Sequence, residues 1–219
     1  MSEQARTTGA LSAPASSIRL QAALSAGTHP QPGLLEALVA RCAVEPDFFV
    51  RDMLTWALTR LPPEMTLPRL VAELRSETAQ GRSQALHTLS KIGDARAWPA
   101  ITRALLRDPE DEVARTAWRT AVALAPESER EGLAAELAIQ FGRGDRSTRL
   151  SLSRALAGLG ESAEPALRAA MQNDDPAVRA HAHATEVLLR DPEAEFGTAV
   201  DEAKRIVALG PRRGERADR

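Results

Sequence analysis

The chain has 219 residues with 43% hydrophobic, 26% charged and only 3% aromatic residues and no Tyr, a composition that fits a globular protein and argues against a large β-sandwich. A formal net charge of -2 creates no whole-chain field attracting nucleic acid or an acidic membrane. Cys42 is the only cysteine, which excludes an internal disulfide and a cysteine-based zinc site.

In chain order, residues 1–15 are polar and rich in Ala, Ser and Thr, the composition of a disordered tail. Ser17–Ala26 reads as a covering helix. Gly33–Val44 is amphipathic, with Cys42 at a small apolar core position. Five helices then carry a common opening: Val50-Arg51-Asp52, Gly81-Arg82-Ser83, Val113-Ala114-Arg115, Thr148-Arg149-Leu150 and Val178-Arg179-Ala180. They run on to Leu61, Ile92, Leu124, Leu159 and Leu189, with Gly93 and Gly160 as helix-ending residues. Shorter amphipathic helices lie between them, over Leu67–Leu74, Ala97–Leu106, Ser128–Phe141 and Ala163–Gln172, with Pro68, Pro99 and Pro165 near their starts. Glu193–Leu209 reads as a last helix whose Phe196, Val200, Ala203, Ile206 and Val207 face inward. Residues 210–219 form a basic tail. The expected domain is a single one over residues 16–209.

The five openings repeat at 51, 82, 114, 149 and 179, with spacings of 31, 32, 35 and 30. A pair of helices about thirty residues long cannot bury both faces alone, so such units must stack. Asp174-Asp175-Pro176-Ala177-Val178-Arg179 resembles the turn and helix opening of HEAT repeats, particularly the short HEAT-like units of phycobilisome lyases. Gly93-Asp94-Ala95-Arg96-Ala97-Trp98-Pro99 is similar to that family's linker. The resemblance covers roughly residues 33–190. It implies an all-α solenoid of about five antiparallel helix pairs with N- and C-terminal cap helices, the arginine-led helices lining the concave side. Arg51, Arg82, Arg149 and Arg179 share one register, which suggests a structural ladder onto turn carbonyls or a neighbouring Asp.

Helical geometry at 100° per residue puts positions −1, 3, 6, 7 and 10 from each register residue on one apolar side. Positions 1, 5 and 8 lie opposite. Position 5 is Trp56, His87, Arg119 and Arg154 in the first four helices, with Asp52 and Arg115 at position 1. Trp and Arg dominate binding hot spots, so Asp52, Trp56, His87, Arg115, Arg119 and Arg154 form the candidate partner-binding row. The competing reading packs Trp56 under the N-terminal segment and pairs the arginines with nearby acids. His181 and His183 point about 200° apart and do not share a metal readily, and no phosphate-binding loop, nucleophile elbow or metal-spaced cluster appears. The expectation is therefore no catalysis, no cofactor, no metal and no membrane contact. It is a cytoplasmic scaffold or adaptor, holding a protein or peptide on the concave face. The alternative is a nucleic-acid-binding module like the HEAT-like DNA glycosylases, with Asp52, Trp56 and Trp118 as the residues to compare; their local sequence is not reproduced here.

Overall fold

A computed structural model describes residues 3–191 together with 200, 201, 204, 205 and 207. Among these residues the chain is all-α, a solenoid-type stack of helix pairs without strands. Its contacts gather into two compact units, residues 1–124 and 125–219, where the sequence reads one domain over 16–209.

The first unit contains α1 (Glu3–Leu11), α2 (Ser16–Thr28), α3 (Leu35–Cys42), α4 (Phe48–Thr59), α5 (Pro63–Glu73), α6 (Ala79–Ile92), α7 (Arg103–Leu106) and α8 (Asp111–Leu124). The second contains α9 (Arg130–Ala138), α10 (Arg146–Gly158), α11 (Glu164–Ala170) and α12 (Pro176–Arg190). Even-numbered helices are the longer, register-bearing partners, and each is preceded by a shorter return helix. Side-chain caps fix where the long helices begin. Asp47 accepts from the Phe49 and Val50 amides, Thr78 from Gly81, Asp145 from Thr148 and Asp175 from Ala177. Each cap satisfies donors that a helix start leaves without partners. Gly93 and Gly160 end or follow their helices at φ 70 and 60, the left-handed backbone that glycine adopts without Cβ strain.

The apolar stripe from the wheel is the core. Val50, Leu54, Ala57, Leu58 and Leu61 are buried in or just after α4, as are Ala85, Leu86 and Leu89 in α6 and Val113, Ala117 and Ala121 in α8. Cys42 is buried among them, and burial pushes its thiol up to about 12. Trp118 is fully buried and its indole N–H donates to the Leu106 carbonyl at 2.8 Å. Trp118 is a core residue.

Two segments differ from the sequence reading. Residues 3–11, assigned by composition to a disordered tail, form helix α1, because Leu11 is buried and Gln4 donates to the Gly33 carbonyl at 2.9 Å. A single well-placed leucine and one long-range bond anchor a segment whose average composition is polar. Ala97–Leu106, read as one helix, is instead a 3-10 turn over Ala95–Ala100 followed by the four-residue α7. Pro99 has no N–H to donate, and it restricts Trp98 before it; Thr102 then caps a fresh start. Of the C-terminal helix read over Glu193–Leu209, Val200 and Val207 pack against Ala180, Ala184 and Leu188 of α12; Phe196, Ala203, Ile206 and the tail over 210–219 lie outside the described residues.

The arginine ladder is a backbone clamp. Arg51, Arg82 and Arg179 each donate through Nη1 to the carbonyls five and six residues back: Glu45 and Pro46, Ser76 and Glu77, Asn173 and Asp174. Arg82 also forms a two-point bond with Asp108, at 2.9 and 3.1 Å. Arg19 does the same with the Ala13 and Pro14 carbonyls and with Glu45. The register therefore begins one unit earlier than 51, at position 19, with α1 and α2 as its pair. Arg149 departs from the pattern: its Nε is buried without a partner.

Candidate functional site

Three consecutive long helices of the first unit, α4, α6 and α8, pack side by side and leave an open groove of about 420 Å³. Antiparallel return helices separate them in sequence, so the three run parallel. Phe48, Arg51, Asp52 and Thr55 line it from α4, Ser83, Gln84, His87 and Lys91 from α6, and Glu112, Thr116 and Arg119 from α8. Its floor is tied by hydroxyls. Ser83 Oγ and Thr116 Oγ1 lie 3.1 Å apart, and the Thr120 hydroxyl donates to the Leu86 carbonyl at 3.0 Å and to the Thr116 carbonyl at 2.8 Å. These bonds hold α6 against α8 and fix the spacing of the charged side chains above them.

His87 is half-buried, and its imidazole is held below the usual histidine range. Burial is the main cause, followed by the Lys91 and Arg119 charges; Asp52 acts in the opposite direction. The ring is therefore mostly neutral at neutral pH and can both donate and accept a hydrogen bond. The Arg119 guanidinium is shifted down by desolvation and by Arg115, against Glu112. Its Nη2 donates to Thr116 Oγ1 at 3.2 Å. Thr55 is 3% exposed, and its hydroxyl has no hydrogen-bond partner. The contrast is clear among the described threonines: Thr66, Thr88, Thr116, Thr120 and Thr185 each donate to the carbonyl four residues back.

Of the six residues in the sequence-derived row, the structure brings Asp52, His87 and Arg119 into this groove. Arg115 is half-buried on α8 and is not among the lining residues. Trp56 lies on α4 but outside the lining, 37% exposed, with its ring seated over Gly27 of α2, where a methyl group would collide with it. The packing reading of Trp56 thus describes much of its surface. Arg154 is exposed on α10, in the second unit. The wheel also marks Ser83, Ala180 and Ala184 as lying opposite the core, yet all three are buried, because neighbouring long helices press on the flanks.

Sequence reasoning missed the aromatic pair at the start of α4. Phe48 and Phe49 are 66% and 71% exposed, with ring centroids 5.7 Å apart in an edge-on pair. The Arg51 guanidinium carbon lies 6.0 Å from the Phe48 ring centre, within cation–π range. The signal was legible: Asp47 is an evident N-cap, and it places Phe48 and Phe49 in the first turn, ahead of the apolar stripe that starts at Val50.

Among the described residues no cluster of three or more His, Cys, Asp or Glu side chains could hold a metal ion, and no helix is long and apolar enough to cross a membrane.

Residues 45–125, which span α4 to α8, match the family model for HEAT repeats. No curated protein sequence matches the chain. Solved structures similar to it include an engineered protein, at 18% identity and TM-score 0.47 over 93% of this chain and 98% of that one. Human deoxyhypusine hydroxylase in complex with glycerol is similar at 17% and 0.47, over 94% and 95%. The complex of CpcE and CpcF of phycocyanin lyase from Nostoc is similar at 15% and 0.40, over 94% of each. This corrects the expectation that the chain is not an enzyme. That expectation rested on missing sequence motifs, and stacks of helix pairs also occur in proteins named hydroxylase and lyase. The architecture gives no ground for excluding catalysis; at these identities the likeness is one of fold and transfers no activity.

Proposed function

We propose that this chain, a HEAT-repeat protein over residues 45–125, holds a protein or peptide partner in the groove across α4, α6 and α8, in a scaffold or adaptor role. The observation that carries the reading is the exposed Phe48–Phe49 pair at the edge of that groove. Two adjacent phenylalanines left in water forgo burial worth about 1.5–3 kcal/mol each, and aromatic anchors beside a polar rim are the usual anatomy of a binding surface. Asp52 and Glu112 interrupt Arg51, Lys91 and Arg119 in the same groove, so it offers no continuous basic track for a phosphate backbone, which disfavours a nucleic-acid partner.

A photo-crosslinking residue placed at Gln84 in the groove, with Met65 as a control position outside it, tests this in native lysate. Capture of defined protein partners from position 84 alone, lost in Phe48→Ala/Phe49→Ala, is the expected result. Equal labelling from both positions would defeat the reading. Capture that collapses steeply with added salt and yields nucleic acid would replace it.

A further inference from the structure

The groove's acidic and basic side chains are separated along the helices and form no ion pair with one another among the described residues. Elsewhere in the fold acids and bases pair: Arg69 with Glu36 and Glu73, Arg168 with Glu164, Arg190 with Glu186. Within the groove, His87, Lys91 and Arg119 have no carboxylate within ion-pair reach among the described residues, and neither Asp52 nor Glu112 has a basic partner. Apart from Arg51, which lines the groove beside Asp52 but is held by the Glu45 and Pro46 carbonyls and the Phe48 ring, their order is not mixed. Glu112 sits in the opening turn of α8 and Asp52 in the second turn of α4, while His87, Lys91 and Arg119 sit later along α6 and α8. At 1.5 Å per residue the two ends lie roughly 6–10 Å apart along the helix direction. Thr55, whose buried hydroxyl has no partner inside the protein, lines the same groove. A buried donor without an acceptor is costly unless a ligand supplies one.

We infer that the groove takes a peptide segment of a partner protein whose carboxylate sits among His87, Lys91 and Arg119 and whose basic side chain reaches Asp52 and Glu112. This rests on the partner-binding reading above and adds the partner's chemistry. Neutralising both ends at once requires a segment of opposite polarity, which fixes the direction in which it lies. The carboxylate accepts from Lys91, Arg119 and the Thr55 hydroxyl, and the aromatic edge at Phe48 covers the cation's end.

Random heptapeptides displayed on phage and selected on the full chain provide the test, in two formats: one with the peptide's C-terminus fused and one with it free. The same selection is run on Lys91→Glu/Arg119→Glu. Wild type is expected to enrich Asp or Glu, with Lys or Arg on one side of it, and the charge-reversed variant to lose the acidic enrichment. Enrichment only in the free format assigns the carboxylate to a chain terminus, and enrichment in both to a side chain; either supports the inference. Selected peptides without acidic enrichment, or with enrichment unchanged by the reversal, would overturn it while leaving peptide binding standing. Recovery of no peptide at all would overturn both readings. Should the double variant melt far below wild type, the single Lys91→Ala variant replaces it. The expected loss is then about ten-fold in affinity for the best selected peptide, read by fluorescence anisotropy; an unchanged affinity counts against the inference.

Discussion

Arg19 and Glu45 form a buried two-point ion pair, both contacts at 2.7 Å, with the Glu45 side chain fully shielded from solvent. Arg41 adds a third bond at 2.7 Å and the Asp47 amide a fourth at 2.9 Å. The pair ties α2 to the turn before α4. Burial pushes the Glu45 carboxyl up, but the bonds from Arg19, the Asp47 amide and Arg41 outweigh it and hold it at about 2. Removing one partner leaves the other charge buried and uncompensated, so Glu45→Ala is expected to cost about 3–5 kcal/mol in urea unfolding, and Arg19→Ala a similar amount. A paired replacement with apolar residues, Arg19→Met/Glu45→Leu, should recover most of that loss. Because the folded carboxyl titrates below its ordinary value, its contribution is complete above about pH 4.5 and fades as pH falls toward 2.

A second pH dependence comes from His181 in the second unit. The Gly142 amide donates to Nδ1 at 3.1 Å, which puts the ring proton on Nε2, 3.0 Å from the Arg149 carbonyl and from Ser153 Oγ. Burial, with the Arg149 charge adding to it and the Arg149 carbonyl opposing it, holds the imidazole at about 4. The unfolded chain therefore takes up a proton below about pH 6.5 that the folded chain refuses until about pH 4. Stability is complete above that upper value and falls through the window. Between pH 7.5 and 5 the expected loss is about 2 kcal/mol, at 1.36 kcal/mol per unit. His87, also shifted downward, acts in the same sense, so His181→Gln should flatten most of the slope but not all of it. Urea unfolding at the two pH values measures both.

The periodicity that gave the long helices was legible because each combines an apolar stripe with a register residue and a capping turn. Arg51 and Arg82 repeat at a fixed spacing, and their clamp on the preceding carbonyls is the physical content of that spacing. Arg19 carries the same clamp and lies 32 residues before Arg51, yet its neighbourhood of Ala and Ser has no strong apolar stripe to draw notice. Asp52, His87 and Arg119 followed from helical geometry alone because each side chain projects away from its own helix's core. Trp56 did not, since what covers it is Gly27 of another helix, and a residue without a side chain leaves no sign in a wheel. Nor was Thr55 legible: the missing bond that distinguishes it depends on local geometry, not on residue type.

The threonine hydroxyls offer an internal comparison. Thr120 donates at 3.0 and 2.8 Å and is buried, so Thr120→Val removes a hydrogen bond between α8 and α6 and is expected to destabilise by about 1 kcal/mol. Thr55 is equally enclosed but unbonded, so Thr55→Val removes an unsatisfied hydroxyl and should leave stability unchanged or raise it by about 1 kcal/mol. Thermal unfolding of the two single variants against wild type tests the contrast. A larger loss for Thr55→Val than for Thr120→Val would mean that the Thr55 hydroxyl is bonded in solution.

Trp56 and Gly27 make the final prediction. The indole lies over Gly27 of α2 so closely that a methyl group there would occupy the space of the ring, yet 37% of Trp56 remains exposed. Trp56→Ala should therefore cost about 2 kcal/mol, below the 3–5 kcal/mol of a fully buried aromatic, because only part of its surface is removed from water. Gly27→Ala acts on the same contact from the other side. The small residue fits a helix better than glycine by roughly 1 kcal/mol, but the ring must swing outward, which gives up its packing. The expected outcome is a red-shifted tryptophan emission with a lower melting temperature, and no further loss when Gly27→Ala is added to Trp56→Ala. That non-additivity is what direct contact predicts. Independent, additive losses in the double variant would show that the indole does not rest on α2, and Trp56 would then return to consideration as an exposed anchor for the partner.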